Sequence, residues 1–239
     1  MHSTTISGSR NGTARNKARQ PGVPQLLNGD HLNVPEFEQR YEIFDEDRRA
    51  ELIEGIVVMS PPISSDHGKA NISLAWLLSQ YAVGTPRTAA AVNTSIRLDG
   101  TNEYQPDVMV WIETGAMTRV QKSANGILEG RPELVVEIAL SSRSYDLNEK
   151  KAVYQRNQVP EYLIWVVMDS RIQWLVLEEG GYVPLKGRAD GTHCSRIFPG
   201  LWLNFLALVS GDGRKAIRIL DNGLKSAAHK TFVKQLAKS

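Results

Sequence analysis

Two acidic residues, Asp107 and Glu137, lie within strongly apolar stretches of the sequence. Asp107 begins an apolar stretch in which alternation places it on one strand face with Met109 and Trp111. Glu137 stands in the middle of the apolar run 134–140, where an ionised carboxylate is costly to bury unless it is paired or holds a metal ion. Neighbouring strands lie roughly 4.8 Å apart, so two such carboxylates can share one hard cation, Mg²⁺ or Mn²⁺.

Two lysines in the segment that follows could act beside these carboxylates. Leu147, Lys150, Lys151 and Tyr154 have the spacing of one helix face, so both lysines interrupt the side expected to lie against the sheet. An ammonium group there could stabilise the charge that develops at phosphorus during phosphodiester hydrolysis, or help to activate water. The sequence therefore predicts a metal-dependent phosphodiesterase. A second interpretation stays open, in which Glu137 and one lysine form a buried structural ion pair.

The elements that position these residues are a strand, a helix and a second strand over 131–167. Both apolar runs are too continuous for strands with a solvated face, so burial is predicted for Val135, Val136, Ile138, Leu163, Ile164 and Val166. The helix begins near Ser144 to Asp146, which are favourable N-cap residues. Other predicted elements are a helix from Pro35 to Arg49, a hairpin over 51–60 that turns at Glu54-Gly55, a helix ending near Val83, strands over 90–98 and 105–112 joined at Asp99-Gly100, and a loop over 113–130.

The composition is that of a globular protein with 239 residues, 41% of them hydrophobic and 23% charged. No apolar stretch reaches 18 residues and the N-terminus lacks a secretory signal, so no membrane span is expected and a cytoplasmic location is assumed. The single cysteine, Cys194, excludes an intrachain disulfide and a multi-cysteine zinc site. Paired metal-ligand histidines, phosphate-binding glycine loops and the nucleophile turn of serine hydrolases are all absent from the sequence.

The charge distribution suggests three segments. Residues 1–30 carry a net charge of +3, residues 214–239 a net charge of +6, and residues 31–213 a net charge of −7. Residues 1–30 are predicted to be a disordered basic tail, and residues 214–239 a basic amphipathic C-terminal helix outside the domain formed by 31–213. An acidic domain favours cation binding and argues against tight, metal-free DNA binding by the domain itself.

The same residues form a series of motifs that resembles the PD-(D/E)xK nuclease superfamily, and within it the Uma-type restriction endonucleases. The matching region runs from about residue 36 to 206. Its motifs are Glu51-Leu-Ile-Glu-Gly55, Val58-Met-Ser-Pro61, His67, Pro106-Asp107-Val108, Leu134-Val-Val-Glu-Ile138, Asp146-Leu-Asn-Glu-Lys150 and Gln158-Val-Pro-Glu-Tyr162. Single motifs of this kind occur by chance, whereas their order and spacing together are specific.

The resemblance implies an α/β fold with a restriction-endonuclease-like core, a central mixed β-sheet flanked by helices. It implies that Asp107 and Glu137 bind the metal ion. Lys150 would be the catalytic lysine, moved to the helix because the usual position two residues after Glu137 is occupied by Ala139. Glu54, from the first hairpin, would be an additional catalytic acidic residue.

The predicted function is Mg²⁺- or Mn²⁺-dependent endonucleolytic hydrolysis of DNA phosphodiester bonds. The alternative is a non-catalytic binding or interaction module that retains the nuclease fold. DNA is the expected partner, a homodimer is left open as an assembly, and no membrane partner is expected. Periodicity alone does not choose between Lys150 and Lys151, and only the resemblance favours Lys150.

Overall fold

The computed structural model describes residues 22–44, 49–141 and 146–238, without the side chains of residues 146 and 147. The helices are α1 (Val34–Glu42), α2 (Ser65–Gly84), α3 (Asp146–Arg156), α4 (Phe205–Ser210), α5 (Gly213–Leu224) and α6 (Ala227–Lys238). The strands are β1 (Ala50–Ile53), β2 (Ile56–Met59), β3 (Thr88–Val92), β4 (Ile96–Asp99), β5 (Asn102–Tyr104), β6 (Val108–Ile112), β7 (Val120–Lys122), β8 (Leu128–Gly130), β9 (Leu134–Ala139), β10 (Glu161–Val166), β11 (Arg171–Glu178), β12 (Gly181–Pro184), β13 (Thr192–Cys194) and β14 (Trp202–Asn204). None of the described helices has both the length and the apolar character needed to cross a membrane.

The central sheet has six strands in the order β12-β11-β10-β9-β6-β3. Strands β9 and β10 are parallel neighbours joined through α3, and they place Glu137 opposite Ile164. The remaining neighbours in this sheet are antiparallel, which makes the sheet mixed. The six residues predicted to be buried on β9 and β10 are all 8% exposed or less. The predicted mixed sheet flanked by helices is therefore confirmed.

A second sheet of six strands, in the order β2-β1-β5-β4-β8-β7, lies beside the central sheet, and β13 pairs with β14 separately. The hairpin predicted from the strands over 90–98 and 105–112 is divided between the two sheets. Its halves β3 and β6 pair in the central sheet, whereas β4 and β5 pair in the second sheet. The chain turns at Asn93, with φ of 48°, and at Pro106, which has no N–H to continue a ladder. The predicted loop over 113–130 also contains β7 and β8.

The two faces of the central sheet are covered differently. Val108, Val110, Leu134 and Val136 point to the main core, which includes α2, α5 and α6. Met109 and Val135 point to the opposite face, where α3 and the second sheet pack. Because side chains alternate along a strand, Asp107 and Glu137 share this opposite face, as predicted for Asp107 with Met109 and Trp111.

Residues 22–30 pack against the first hairpin, although the sequence predicts that they belong to a disordered tail. Leu26 is buried with β1 and β2. The Gly29 N–H donates to the Val57 carbonyl at 2.8 Å, and the Val57 N–H donates to the Asp30 carbonyl at 2.9 Å. The ordered part of the chain thus begins before residue 31. The rest of the predicted tail, residues 1–21, lies outside the described residues.

Two other predicted helices have different limits in the structure. The helix predicted from Pro35 to Arg49 ends at Glu42, and residues 45–48 lie outside the described residues. Within the segment 214–239, predicted as one helix outside the domain, the structure describes α5 and α6 with a break between Leu224 and Ala227. Their apolar side chains belong to the main core, namely Ala216, Leu220, Phe232 and Leu236. The two helices are therefore packed parts of the domain.

Candidate active site

Asp107 lies at the point where the pairing of β6 and β9 ends. The last paired residues at this end are Val108 and Val136. Beyond them, the Ile138 N–H donates to Asp107 Oδ2 at 2.7 Å, so the side chain takes the place of the next backbone partner. The carboxylate is thereby fixed beside Glu137, and its side chain is 9% exposed.

Glu137 is held by two donors from helix α3. Lys150 Nζ lies 3.1 Å from Glu137 Oε1, and the Tyr154 hydroxyl donates to the same oxygen at 2.7 Å. Glu137 Oε2 accepts no hydrogen bond from the described residues. The carboxylate is therefore oriented through one oxygen while the other stays available.

Lys150 also contacts a carboxylate that was not among the candidates drawn from the sequence. Its Nζ lies 2.8 Å from Oε2 and 3.0 Å from Oε1 of Glu51 in β1. Glu51 is fixed in turn by the Gln105 N–H, which donates to Oε1 at 2.7 Å. Glu51, Asp107, Glu137 and Lys150, called the acidic cluster below, are all buried.

Of the two candidate lysines, the structure brings only Lys150 to the carboxylates. Lys151 is half-buried and lines a cleft of about 490 Å³ between α3 and the turn from β11 to β12. Residues lining that cleft include Gln155, Glu178 and Gly181, but none of the acidic cluster. The two lysines are adjacent in sequence, but Lys150 contacts the acidic cluster whereas Lys151 lines this separate cleft.

Glu54 does not join the acidic cluster. It is the tip residue of the predicted turn, with φ of 51°, and its side chain is 45% exposed. It pairs with Arg156 at 2.7 Å. The acidic residue that the first hairpin contributes is Glu51, three positions earlier. The sequence contained a signal for this, since Glu51 lies within a strand whereas Glu54 lies at a turn tip, where side chains point to solvent.

His67 is a further side chain at this site. Its helix α2 is capped by the Ser64 side chain, which accepts from the His67 N–H at 3.2 Å. His67 therefore lies in the first turn of α2, and its ring also contacts Asp107, with Nε2 3.3 Å from Oδ1. The other ring nitrogen, Nδ1, is buried and has no hydrogen-bond partner in the part of the chain that the structure describes.

The acidic cluster has an excess of negative charge. When its three carboxylates are ionised, the single ammonium group leaves two negative charges uncompensated, apart from His67. Burial raises the pKa of Glu137 to about 8; Lys150 opposes this rise, while repulsion from Glu51 and Asp107 adds to it. Burial alone would lower the pKa of Lys150, but Glu137 and Glu51 outweigh it and raise that pKa, so the ammonium stays charged.

The donor set fits a hard divalent cation that keeps part of its water shell. Mg²⁺ is usually bound through one or two carboxylates with several waters rather than by a complete protein cage. Asp107 and Glu137 provide such carboxylates, and a divalent ion would balance the excess charge of the cluster. No group of three or more His, Cys, Asp or Glu among residues 22–44, 49–141 and 146–238 is arranged to hold a metal ion.

Comparison with known proteins identifies the family. The sequence pattern of the Uma2 family, whose description reads "Putative restriction endonuclease", matches residues 34–207. A crystal structure described as "a putative nuclease belonging to DUF820 from Anabaena variabilis ATCC 29413" is similar with a TM-score of 0.60 and 14% sequence identity, covering 75% of this chain and 98% of that chain. At this identity the likeness shows the fold alone. No curated protein matches the chain. The family pattern covers well over half of the sequence, and the chain belongs to the Uma2 family.

Proposed function

We propose that this protein is a metal-dependent DNA endonuclease, a hydrolase that cleaves phosphodiester bonds with Mg²⁺ or Mn²⁺. The descriptions of the Uma2 family and of the similar crystal structure support a nuclease-like function. The observation that carries the proposal is the meeting of Asp107, Glu137 and Lys150 beside the ends of two neighbouring strands. Raised pKa values of buried groups, as at Glu137 and Lys150, are typical of catalytic sites.

In this proposal Asp107 and Glu137 hold the cation. The available oxygens are Glu137 Oε2 and Asp107 Oδ1, whose only close partner among the described residues is His67. When bound, a hard divalent cation supplies positive charge to the phosphoryl group and polarises a water molecule. Tyr154 fixes Glu137 through the oxygen that is not offered to the cation, and the Ile138 N–H does the same for Asp107.

Lys150 acts as a fixed positive charge rather than as a base, because its pKa is raised and the side chain stays protonated. The negative charge that develops on the phosphoryl oxygens as water attacks phosphorus and the P–O bond breaks would be stabilised by this ammonium. Glu51 positions Lys150 by binding it through both carboxylate oxygens. A lysine on a strand, two residues after Glu137, would be directed towards the site by the strand itself. A lysine on a helix lacks this direction and needs a partner such as Glu51.

One observation favours the alternative of a non-catalytic module. Lys150 lies within hydrogen-bond distance of both Glu51 and Glu137, so the ammonium charge is satisfied without any ion. Buried networks of this kind also occur in proteins for purely structural reasons.

The experiment that separates the two is a pair of measurements on purified wild-type protein. Supercoiled plasmid is incubated with Mg²⁺, Mn²⁺ or EDTA, and ion binding is measured by titration calorimetry without DNA. We expect one divalent ion per chain and nicking that EDTA abolishes. A protein that binds neither ion and nicks no DNA would refute the nuclease proposal and leave the non-catalytic module.

A further inference from the structure

An arginine next to the strand that carries Glu51 has no acidic partner among the described residues. The β1–β2 pairing continues one step beyond the strands, where the Ser60 N–H donates to the Arg49 carbonyl at 2.9 Å. Arg49 is therefore in register with β1, two positions before Glu51. Residues two apart on a strand share a face and lie about 7 Å apart. The Arg49 side chain thus leaves β1 on the side of Glu51.

Asn93 is a second anchor for the Arg49 side chain, in addition to β1. Arg49 Nη1 donates to Asn93 Oδ1. The Asn93 backbone N–H donates to the carbonyls of Pro106 at 3.0 Å and Asp107 at 3.4 Å. This is the left-handed turn where the chain passes from the central sheet to the second sheet, a conformation that asparagine tolerates well. Arg49 is thus tied to Glu51 through β1 and to Asp107 through Asn93.

The remaining donors of this guanidinium have no partner among residues 22–44, 49–141 and 146–238. Arg40, Arg97, Arg156 and Arg196 each form an ion pair with a carboxylate. Arg49 forms no ion pair with any described residue, and Asn93 uses only one of its five N–H donors. The residue is half-buried, so it is neither enclosed in the core nor fully surrounded by solvent.

We propose that Arg49, positioned by Asn93, binds a backbone phosphate of the DNA substrate next to the acidic cluster; this assignment rests on the proposed nuclease function. A phosphodiester that approaches three buried carboxylates is repelled by their excess charge. A guanidinium beside them offsets this repulsion, and its planar fork matches two oxygens of one phosphate. Arg49 is then a substrate-binding residue that neither the motif series nor the family description assigns.

The test is the affinity for a fluorescein-labelled DNA duplex, measured by fluorescence anisotropy at several salt concentrations, with Ca²⁺ and with EDTA. Arg49→Gln should bind about tenfold more weakly, the value of one charge-assisted hydrogen-bonded contact. The slope of log affinity against log salt should become shallower by about 1. Asn93→Ala should show a smaller loss, because the guanidinium is kept but no longer held.

Two controls separate phosphate binding from a structural effect. Arg218→Gln removes an exposed arginine of α5 that has no ion pair with any described residue, and it should leave affinity and salt slope unchanged. Arg49→Lys keeps the charge and should retain the wild-type salt slope even if the loss of the fork weakens binding. Divalent-ion affinity from calorimetry should be the same in Arg49→Gln and wild type, because Arg49 is not an ion ligand.

The outcomes distinguish this inference from the proposed function. An Arg49→Gln protein with wild-type affinity and salt slope overturns the phosphate assignment even if the wild type cleaves DNA. If Arg49→Gln fails to fold, the other two variants decide. A changed salt slope in Arg49→Lys overturns the phosphate assignment, and so does wild-type affinity in Asn93→Ala. A wild type that binds no duplex overturns it too. A wild type that binds duplex through Arg49 but never cleaves it refutes only the nuclease activity.

Discussion

Lys150 is shared by two carboxylates, and this determines how substitutions in the acidic cluster should behave. Loss of Glu137 leaves Lys150 with Glu51, whereas loss of Lys150 leaves three buried carboxylates with no ammonium group. With all three carboxylates ionised, the first change reduces the excess of negative charge and the second increases it. Removing one partner of a buried ion pair is costly mainly because an uncompensated charge is left behind.

Glu137→Gln should therefore abolish metal-dependent nicking while changing the free energy of unfolding by less than about 2 kcal/mol in either direction. The side chain keeps its shape and its bond to Tyr154, but it loses the charge that a hard cation needs. The checks are plasmid nicking, ion calorimetry and urea denaturation in EDTA. A variant that nicks DNA like the wild type would remove Glu137 from the metal site.

Lys150→Ala should lose nicking and destabilise the fold by roughly 3–5 kcal/mol, because the buried carboxylates lose their counter-charge. Lys151→Ala is the matched control, since its half-buried side chain lines a different cleft; we expect wild-type nicking and a stability change within about 0.5 kcal/mol. Urea denaturation and plasmid nicking measure both quantities. The opposite pattern, with Lys151 required and Lys150 dispensable, would show that the assignment is wrong by one residue.

At the residue scale the sequence predicted part of the site. Asp107 and Glu137 could be singled out because each is a charged residue in an apolar pattern, whereas periodicity offered Lys150 and Lys151 equally and only the family resemblance favoured Lys150. The motif series contains both Glu51 and Glu54 and does not distinguish them. The predicted turn at Glu54-Gly55, however, already places Glu54 outside the sheet. No sequence pattern pointed to Arg49. It is linked to Asp107 only by the turn at Asn93, and that turn is held by hydrogen bonds to residues far away in the sequence.

Among the elements, α5 and α6 differ most from expectation. Lysines at helical spacing predicted a peripheral helix, and the cationic side chains are indeed mostly exposed. However, Leu220, Phe232 and Leu236 are buried in the main core, and His229 contacts Thr85 at 2.9 Å. An amphipathic pattern reveals which face is apolar but not how much core that face covers. The division of the predicted hairpin over 90–112 between two sheets was also beyond the sequence pattern. Alternation of apolar residues does not specify which sheet a strand joins.

Substitutions in these helices should reveal the difference. Leu220→Ala should cost about 2–5 kcal/mol and Phe232→Ala about 3–5 kcal/mol of unfolding free energy, because each leaves a cavity in the core. Lys234→Ala, on the same helix as Phe232, should change it by less than about 0.5 kcal/mol. Circular dichroism during urea unfolding measures all three. If the two core variants match Lys234→Ala, α5 and α6 are peripheral after all.

For the whole molecule, buried carboxylates make stability depend on pH. Burial raises the pKa of both Glu137 and Glu103 to about 8, from the ordinary glutamate value of 4.5. The folded protein then holds protons that the unfolded chain has released. Stability is consequently greatest below pH 4.5 as far as these two groups are concerned, and it is lost as pH rises through 8.

Metal-free protein should therefore lose stability between about pH 6.5 and about pH 8.5, on the order of 1 kcal/mol per pH unit. Glu103→Gln should flatten this dependence, since the neutral side chain has no proton to release. Urea denaturation in EDTA at several pH values provides the measurement. A wild-type stability that stays constant or rises across this range would mean that both carboxylates are ionised without penalty.

Helix α2 runs from the acidic cluster at its first turn to α6 at its C-terminal end. Its first turn carries His67 to the acidic cluster, and its C-terminal end meets α6 through the Thr85–His229 contact. A 20-residue helix spans roughly 30 Å, wider than a DNA duplex. A bead or dye coupled through an exposed lysine of α6, such as Lys230, would therefore sit at the far end of the protein. Immobilised in this orientation, the protein should present its acidic cluster to DNA in free solution.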